Sequence, residues 1–244
     1  MPDLSVSGNV DGLFVAATNF GTENYPSVRN ASAATQAPST TLSNSTQGAG
    51  VVQFAGAISI NYRSFFVFNT TGITVAPSSA TFSVFTRTNR TSPCRIIKYG
   101  GYSDASITTG DYDDIPGFSA NNTMSGNVTD YSGVISTSDI ATDGNRTDVT
   151  LNATALSDMA SLGLFQIMIV GNTYDYPNNN PAGQSVDERW GMYYSNNSGD
   201  SLDPFISYVA GATGYSHDVS GLAAGSIGKI KALAAGSIGK VIGK

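Results

Sequence analysis

The chain has 244 residues, of which 40% are hydrophobic and 10% aromatic, a composition that supports a folded core and excludes a wholly disordered chain. Only 12% are charged, and all 18 acidic residues but only eight of the 12 basic ones lie in residues 1–218, so this acidic body is expected not to bind nucleic acid. The single cysteine, Cys94, excludes an intrachain disulfide, and the lack of an 18-residue apolar run argues against a spanning helix and a membrane partner.

Short apolar segments separated by turn residues predict β-strands along most of the chain. Residues 4–6 and 13–15 are two candidates, and the first residues resemble no signal peptide. Residues 17–50 are small and polar, which predicts a long surface loop or an arm on a neighbouring subunit. Residues 51–60 and 62–69 predict two strands that meet around Asn61. Further strands are predicted at residues 80–86, 95–99, 131–135, 148–151, 164–170, 189–194 and 204–209.

One short helix interrupts this pattern. Thr154 is a candidate N-cap for a helix over residues 155–162, which Gly163 ends. The apolar run at 164–170 predicts a central strand that is buried on both faces. About nine short strands with a single helix predict an all-β fold, an antiparallel β-sandwich or jelly roll. We divide the chain into N-terminal strands and a long arm (1–50), the β-sandwich domain (51–210), and a connector with a short repetitive tail (211–244).

The tail contains an internal repeat. The octapeptide LAAGSIGK at 222–229 recurs at 233–240, and the tail carries four lysines and no acidic residue after residue 218. Three conformations fit the pattern: a helix with an 11-residue period, extended segments separated by glycine turns, or a cationic amphipathic helix. Each needs a partner surface, because four glycines make an isolated helix marginal. We predict an interface for subunit association formed by Ile227, Ile230, Ile238, Val241, Lys229 and Lys240.

Few residues carry reactive chemistry. His217 is the only histidine and follows the last predicted strand, so no catalytic residue and no cofactor are predicted, and a lone Cys94 favours a buried, unreactive thiol. Three carboxylates, Asp111, Asp113 and Asp114, lie in the segment GDYDDIPG. Carboxylate oxygens on a turn suit calcium, but Asp, Gly and Pro are also ordinary turn residues, so the sequence favours a structural turn, with a calcium site as the alternative.

Aromatic residues near the end of the body are candidates for contact with a glycan. Tyr174 and Tyr176 lie in the segment NTYDYPNNNPAG, and Trp190 lies in a predicted strand. Aromatic faces can stack on sugar rings, but aromatic side chains also form the cores of β-sandwiches, and the sequence favours core packing. The adjacent Asp187 and Glu188 point to opposite faces of their strand, which excludes them as a glycosidase pair.

Several segments resemble known families. The segments YRSFFVFN at 62–69 and SATFSVF at 79–85, with DPFISY at 203–208, resemble the strands of DNRLRE and carbohydrate-binding-module jelly rolls. The chain is also similar to structural proteins of tailed bacteriophages, in which such a domain is followed by a Gly-Tyr-x-His segment and by A-x-x-I-x-K-V-x-G repeats. Here the corresponding residues are 214–217 and 223–243.

The phage resemblance implies a non-enzymatic structural protein on the surface of a virion, as a capsid decoration or a short head or tail fibre. Its expected partners are other virion proteins and further copies of itself, with a trimer as one arrangement. A carbohydrate-binding module for host adhesion is the alternative, which would bind a glycan of the host surface. A polysaccharide depolymerase and a filament-forming surface protein also remain open at this stage.

Overall fold

A computed structural model gives the structure of the protein. It describes residues 2–18, 21–22, 24–36, 39, 43–90, 92–102, 107–196, 201–212, 229–230 and 233–234. Among these residues, no helix is long and apolar enough to cross a membrane.

The described residues form an antiparallel β-structure with little helix, which confirms the predicted all-β sandwich. Its nine connected strands are β1 (Asp3–Ala17), β2 (Asn44–Phe54), β3 (Ile58–Asn69), β4 (Ser79–Arg90), β5 (Cys94–Lys98), β6 (Arg146–Thr150), β7 (Leu164–Gly171), β8 (Val186–Tyr193) and β9 (Phe205–Val209). The helices are α1 (Tyr25–Arg29), α2 (Ala153–Ser161) and a 3-10 helix (Thr109–Asp113). Two short strands, β10 (Lys229–Ile230) and β11 (Leu233–Ala234), pair only with each other among the described residues.

Two long strands, β1 and β4, join the two sheets of the sandwich. The first sheet contains β6, the first part of β4, β9 and the first residues of β1. The second sheet has the order β4-β8-β2-β3-β7-β5, and the rest of β1 pairs with β3. Because β1 and β4 each pass from one sheet to the other, the two sheets are parts of one hydrogen-bonded network.

The main hydrophobic core lies between the two sheets. The rings of Phe66 in the second sheet and Phe82 in the first are 5.2 Å apart. Trp190 and Ile206 are fully buried in the same cluster, and α2 contributes the buried side chain of Met159. This packing of alternate side chains is the expected source of stability for a sandwich.

A second core covers the outer face of the second sheet. Phe65 and Met168, from β3 and β7, pack there with Tyr25 and Val28 of α1 and with Tyr112 of the 3-10 helix. The second sheet is therefore covered on both faces, which explains the nearly continuous apolar run in β7. The prediction that residues 164–170 are buried on both faces is confirmed for residues 165 and 167–170, which are fully buried, whereas Leu164 at the start of β7 is 36% exposed.

The N-terminal third differs from its prediction. The two predicted strands at 4–6 and 13–15 are one strand, β1, with an irregularity between Val6 and Asp11. The predicted loop or arm at 17–50 is wrong for residues 25–29, which form the packed helix α1, and for residues 44–50, which belong to β2. Both elements are rich in small and polar residues and therefore show no apolar pattern in the sequence. Their burial depends on tertiary contacts of a few residues such as Tyr25.

Three local predictions need correction. Asn61 lies inside β3 and does not separate two strands; the turn falls at residues 55–57, where Ala57 N–H donates to the Phe54 carbonyl. Residues 131–135 form no strand and contribute only an isolated bridge between Ile135 and Cys94. The N-cap of α2 is Asn152, whose side chain accepts a hydrogen bond from Ala155 N–H at 3.0 Å.

Close backbone approach at β2 and β8 requires glycine at position 48. Gly48 lies in the irregularity of β2 opposite β8, and a Cβ there would overlap the carbonyl oxygen of Trp190. We expect Gly48→Ala to lower the free energy of unfolding by about 2 kcal/mol, as overpacking does. Gly72→Ala is the matched control, since a Cβ at that position would meet no atom within 4 Å, and it should change the value by less than about 0.5 kcal/mol. Urea unfolding measures both, and equal values for the two variants would contradict this account.

Candidate functional site

A buried ion network is the most unusual polar feature of the described structure. Arg29, Arg63 and Asp175 are all fully buried. The Nε and one terminal nitrogen of Arg63 donate to the two carboxylate oxygens of Asp175, each at 2.8 Å. The Nε of Arg29 lies 3.6 Å from the same carboxylate and donates to the Asp175 backbone carbonyl at 2.8 Å. One carboxylate therefore faces two guanidinium groups inside the second core.

Different elements bring these three residues together. Arg63 is in the middle of β3, and Arg29 is the last residue of α1, a helix that begins after Asn24, whose side chain accepts from Ser27 N–H. Asp175 lies in the turns that follow β7, where Tyr176 N–H donates to the Gly171 carbonyl. The network thus joins a strand of the second sheet to the helix and the turns that cover it.

Further hydrogen bonds satisfy most of the donors in the network. Arg63 donates to the carbonyls of Tyr112 and Arg29, and Arg29 donates to the carbonyl of Asn122 at 2.8 Å. Asn61 donates to Asp175 at 3.0 Å and to the Tyr112 hydroxyl at 2.7 Å. A buried charge group needs partners of this kind, because an unpaired charge in a core is very costly.

Two aromatic rings complete the surroundings of the guanidinium groups. The Arg63 guanidinium lies 4.1 Å from the ring centroid of Tyr112 and 5.1 Å from that of Phe118. The Arg29 guanidinium is also 5.1 Å from the Phe118 ring. Such cation–π contacts partly replace the lost hydration of the two cations.

The charges in the network control its pKa values. Burial alone would raise the pKa of Asp175, but the positive charges of Arg63 and Arg29 and the hydrogen bonds from Arg63 and Asn61 lower it. Burial lowers the pKa of Arg29. At Arg63 burial also acts to lower the pKa, but the charge of Asp175, its hydrogen bond and the neighbouring tyrosines together raise it. Asp175 is therefore ionised at neutral pH and holds the arginines in place.

The arrangement is suited to holding structure together and offers no exposed group for chemistry. All three charged side chains are inaccessible to solvent. Two buried atoms beside the network, the hydroxyl oxygen of Tyr25 and the Oδ1 of Asn61, have no hydrogen-bond partner among the described residues. The network fastens α1, the 3-10 helix and the turns after β7 onto the second sheet.

A second buried carboxylate lies at the irregularity of β1. Asp11 is fully buried and accepts hydrogen bonds from Ser195, from the backbone N–H at 2.8 Å and from the hydroxyl at 2.7 Å. No described arginine or lysine forms an ion pair with it. Burial raises the pKa of Asp11 to about 7, with a smaller contribution from the negative charge of Asp203, while the Ser195 bonds act in the opposite direction. Asp11 thus ties β1 to the connection between β8 and β9.

The aromatic residues predicted to contact a glycan are not presented together at the surface. Trp190 is fully buried between the sheets, where its indole N–H donates to the Thr86 hydroxyl at 3.2 Å, so the predicted contact is wrong for this residue. Tyr176 is 5% exposed and donates to Asp130 at 2.8 Å. Tyr174 is half-buried with its ring edge against Tyr25. Packing within the protein accounts for the positions of these three aromatic side chains.

The other candidate residues have structural partners. Asp111 caps the 3-10 helix by accepting from Thr108 N–H at 2.5 Å, while Asp113 and Asp114 border an open cavity, and burial together with Asp111 and Asp113 raises the pKa of Asp114. No group of three or more His, Cys, Asp or Glu side chains in the described part of the chain could hold a metal ion. Asp187 forms ion pairs with two arginines. Cys94 is fully buried, and burial raises the pKa of its thiol to about 12.

The predicted interface residues lie mostly outside the described residues. Ile227, Ile238, Val241 and Lys240 are not described, and neither is His217. Lys229 and Ile230 form β10, with Lys229 paired to Ala234 and Ile230 paired to Leu233. These four residues are extended, as the second of the three proposed tail conformations requires.

Sequence reasoning missed the ion network and Asp11. A charged residue inside the apolar run YRSFFVFN is a signal for a buried partner, because an arginine flanked by core residues cannot remain unpaired. Its partner Asp175 is 112 residues away in a polar turn, and no local pattern connects the two. Asp11 lies in a DG dipeptide, which is typical of an ordinary turn.

Comparisons with known proteins add no family. No family model matches the chain, and a search of curated proteins finds no significant match.

We expect Asp175→Asn to lower the free energy of unfolding by about 3–5 kcal/mol, because it leaves two buried guanidinium groups without a counter-charge. Asp143→Asn is the matched control: its ion pair with Arg87 is solvent-exposed, and its loss should cost less than about 1 kcal/mol. Urea unfolding at pH 7 measures both variants. A small effect of Asp175→Asn would show that the network does not hold the second core together.

Asp11 should make stability depend on pH. Its pKa of about 7 in the folded state lies above the ordinary value of 3.8, so its stabilising contribution is complete below about pH 4 and is lost as the pH rises through 7. Between pH 4 and pH 8, we expect the free energy of unfolding of Asp11→Asn to rise by on the order of 4 kcal/mol relative to that of the wild type. Denaturant unfolding at a series of pH values measures this difference. If the free energies of unfolding of the two proteins changed with pH in parallel, Asp11 could not be a buried carboxylate without a counter-charge.

Proposed function

We propose that the chain is a non-enzymatic structural protein that displays its β-sandwich on the surface of a tailed-phage virion and assembles through its C-terminal repeat. Other virion proteins and further copies of the chain are its partners in this proposal. The observation that carries the assembly role is the extended pair β10 and β11 within the repeat region. The resemblance of the body and tail to phage structural proteins is what suggests the virion.

A two-stranded ladder needs additional strands. β10 and β11 contain two residues each, and an isolated hairpin is at best marginally stable in water. The same octapeptide occurs twice in each tail, so several chains together supply many segments of identical sequence. Pairing of tails between copies would provide the missing strands.

Opposite charges support association between copies. The body carries all acidic residues, and the tail carries four lysines without a neighbouring acid after residue 218. The tail of one chain is therefore attracted to the body of another, which increases the rate of association and makes it sensitive to salt. Many copies on one particle would then give strong total binding from weak individual contacts.

The alternative of a carbohydrate-binding module receives less support. Of the three aromatic residues proposed to stack on sugars, Trp190 is buried between the sheets and Tyr176 is nearly so. A stacking platform needs the ring faces to be open to the ligand, and only Tyr174 of the three is partly accessible. A glycan site on this chain would have to use other residues.

Substitution of the repeat in the full chain tests the assembly. We expect the double variant Ile227→Asp, Ile238→Asp to be monomeric, because a charge at each equivalent apolar position opposes burial of the tail. The control Ser226→Asp, Ser237→Asp adds the same charge one residue earlier at polar positions and should retain the oligomer. Sedimentation velocity of these variants and of the wild type measures the oligomeric state.

Two results would contradict the proposal. A wild-type protein that is monomeric at micromolar concentration, or an oligomer that is unchanged in the Ile-to-Asp variant, would remove the assembly role from the tail. Mass spectrometry of purified virus particles tests the location, since a structural protein should be present in them in constant amount.

A further inference from the structure

Two strand edges of the sheets in the described part of the chain, those of β5 and β1, are covered by other segments. Along β5, Cys94 and Ile135 exchange backbone hydrogen bonds, and Lys98 N–H donates to the Thr129 carbonyl. Along β1, Leu13 and Ser39 exchange backbone hydrogen bonds in the same way. Covering of this kind prevents unwanted pairing of strand edges with other chains.

The edge formed by β6 has no such cover among the described residues. β6 pairs only with β4 there. Leu151 N–H donates to the Ala80 carbonyl, and Thr86 N–H donates to the Asn145 carbonyl, so residues 145, 147, 149 and 151 direct their backbone groups toward β4. The backbone groups of Arg146, Asp148 and Thr150 consequently point away from β4, and no described residue bonds to them.

A cleft runs beside this open edge. Its volume is about 230 Å³, and it separates residues 148–150 of β6 from residues 132–135, with Asp139 at its border. Val134 on the far side is 47% exposed, whereas Val149 on the near side is buried. Hydrogen bonds from Ser136 lower the pKa of Asp139, which keeps this carboxylate negative at neutral pH. The cleft therefore combines unpaired backbone groups, an exposed apolar side chain and a negative charge.

The C-terminal repeat has the properties that this cleft requires. The residues described in the tail are extended, and each repeat supplies small residues, one isoleucine and one lysine, Ile227 with Lys229 or Ile238 with Lys240. Isoleucine suits the contact with Val134, and lysine suits Asp139. The tail follows β9, whose end pairs with the start of β4, and β6 lies on the other side of that strand, about 10 Å away.

We propose that the open edge of β6 accepts a repeat segment from the tail of a second copy as an added antiparallel or parallel strand. This inference rests on the proposed function and names the surface that the tail binds. Each chain has two repeats, whereas its β6 edge has room for one added strand, so a tail offers more repeat segments than this edge of its own body can accept. The surplus repeat is available to a neighbour, and strand addition through main-chain hydrogen bonds joins the two copies.

A proline in β6 tests the main-chain contact. The N–H of Asp148 points away from β4, so Asp148→Pro removes a donor from the open edge without removing a bond to β4. We expect it to weaken self-association about tenfold, the effect of one lost hydrogen bond with its steric clash. Asp148→Ala is the control: it loses the same side chain but keeps the N–H, and its association should be several-fold stronger than that of the proline variant. Thermal unfolding of both shows whether β6 remains folded.

Cross-linking between copies provides a test that does not depend on a proline. The native Cys94 is fully buried, so introduced cysteines react without background. A Val134→Cys chain mixed with a Ser237→Cys chain should give a mixed disulfide dimer under mild oxidation. A Phe54→Cys chain mixed with Ser237→Cys should not, although Phe54 is 55% exposed, because it lies at the turn between β2 and β3.

The outcomes separate this inference from the proposed function. Equal cross-linking at positions 134 and 54, or equal association of the proline and alanine variants, would overturn the β6 site while the tail could still mediate assembly. Cross-linking only within one chain, seen when both cysteines are placed in a single protein, would assign the cleft to the chain's own tail and also overturn the inference. Failure of the proposed function itself would be seen in the sedimentation experiment, as an oligomer that the Ile-to-Asp changes do not affect.

Discussion

The ion pair between Arg63 and Asp175 is the constraint on which the second core depends. Two hydrogen bonds of 2.8 Å join a β3 side chain to the turns after β7, and Arg29 brings α1 to the same carboxylate. Without these contacts the second sheet would expose one apolar face, because the covering layer consists of a five-residue helix, a 3-10 helix and irregular turns. None of those pieces is stable alone. The charges give them one fixed position.

The two cores differ in the kind of interaction that holds them together. The first core is a conventional sandwich interior in which aromatic and aliphatic side chains from both sheets interdigitate. The second core combines apolar residues with a charged centre whose partners are almost all satisfied. A buried ion pair is not a strong source of net stability, but breaking it is costly. The second core is therefore specific in its geometry and sensitive to single substitutions.

The sequence predicts the β-class and most strands because side-chain alternation and apolar runs are local signals. The run at 164–170 also predicts burial on both faces, correctly for residues 165 and 167–170. Prediction failed where tertiary contacts decide: α1 is recognisable only through the burial of Tyr25, Val28 and Arg29, and Asn61 continues β3 because its side chain has partners in Asp175 and Tyr112. The partner of Arg63 could not be predicted, since Asp175 is 112 residues away in the sequence. The roles of the tail and the virion location stay predictions.

The position of β9 has a mechanical consequence for a chain that is anchored by its tail. β9 is the last strand before residue 212, and it pairs with β1 on one side and β4 on the other. If the tail anchors the chain as proposed, a force that acts along β9 would load the ladders to β1 and β4 at the same time. Tyr208 N–H also donates to the Pro2 carbonyl, so the first residues of the chain lie beside the point where the load enters. In the proposed assembly, the N-terminal strand would therefore reinforce the end at which the chain is anchored.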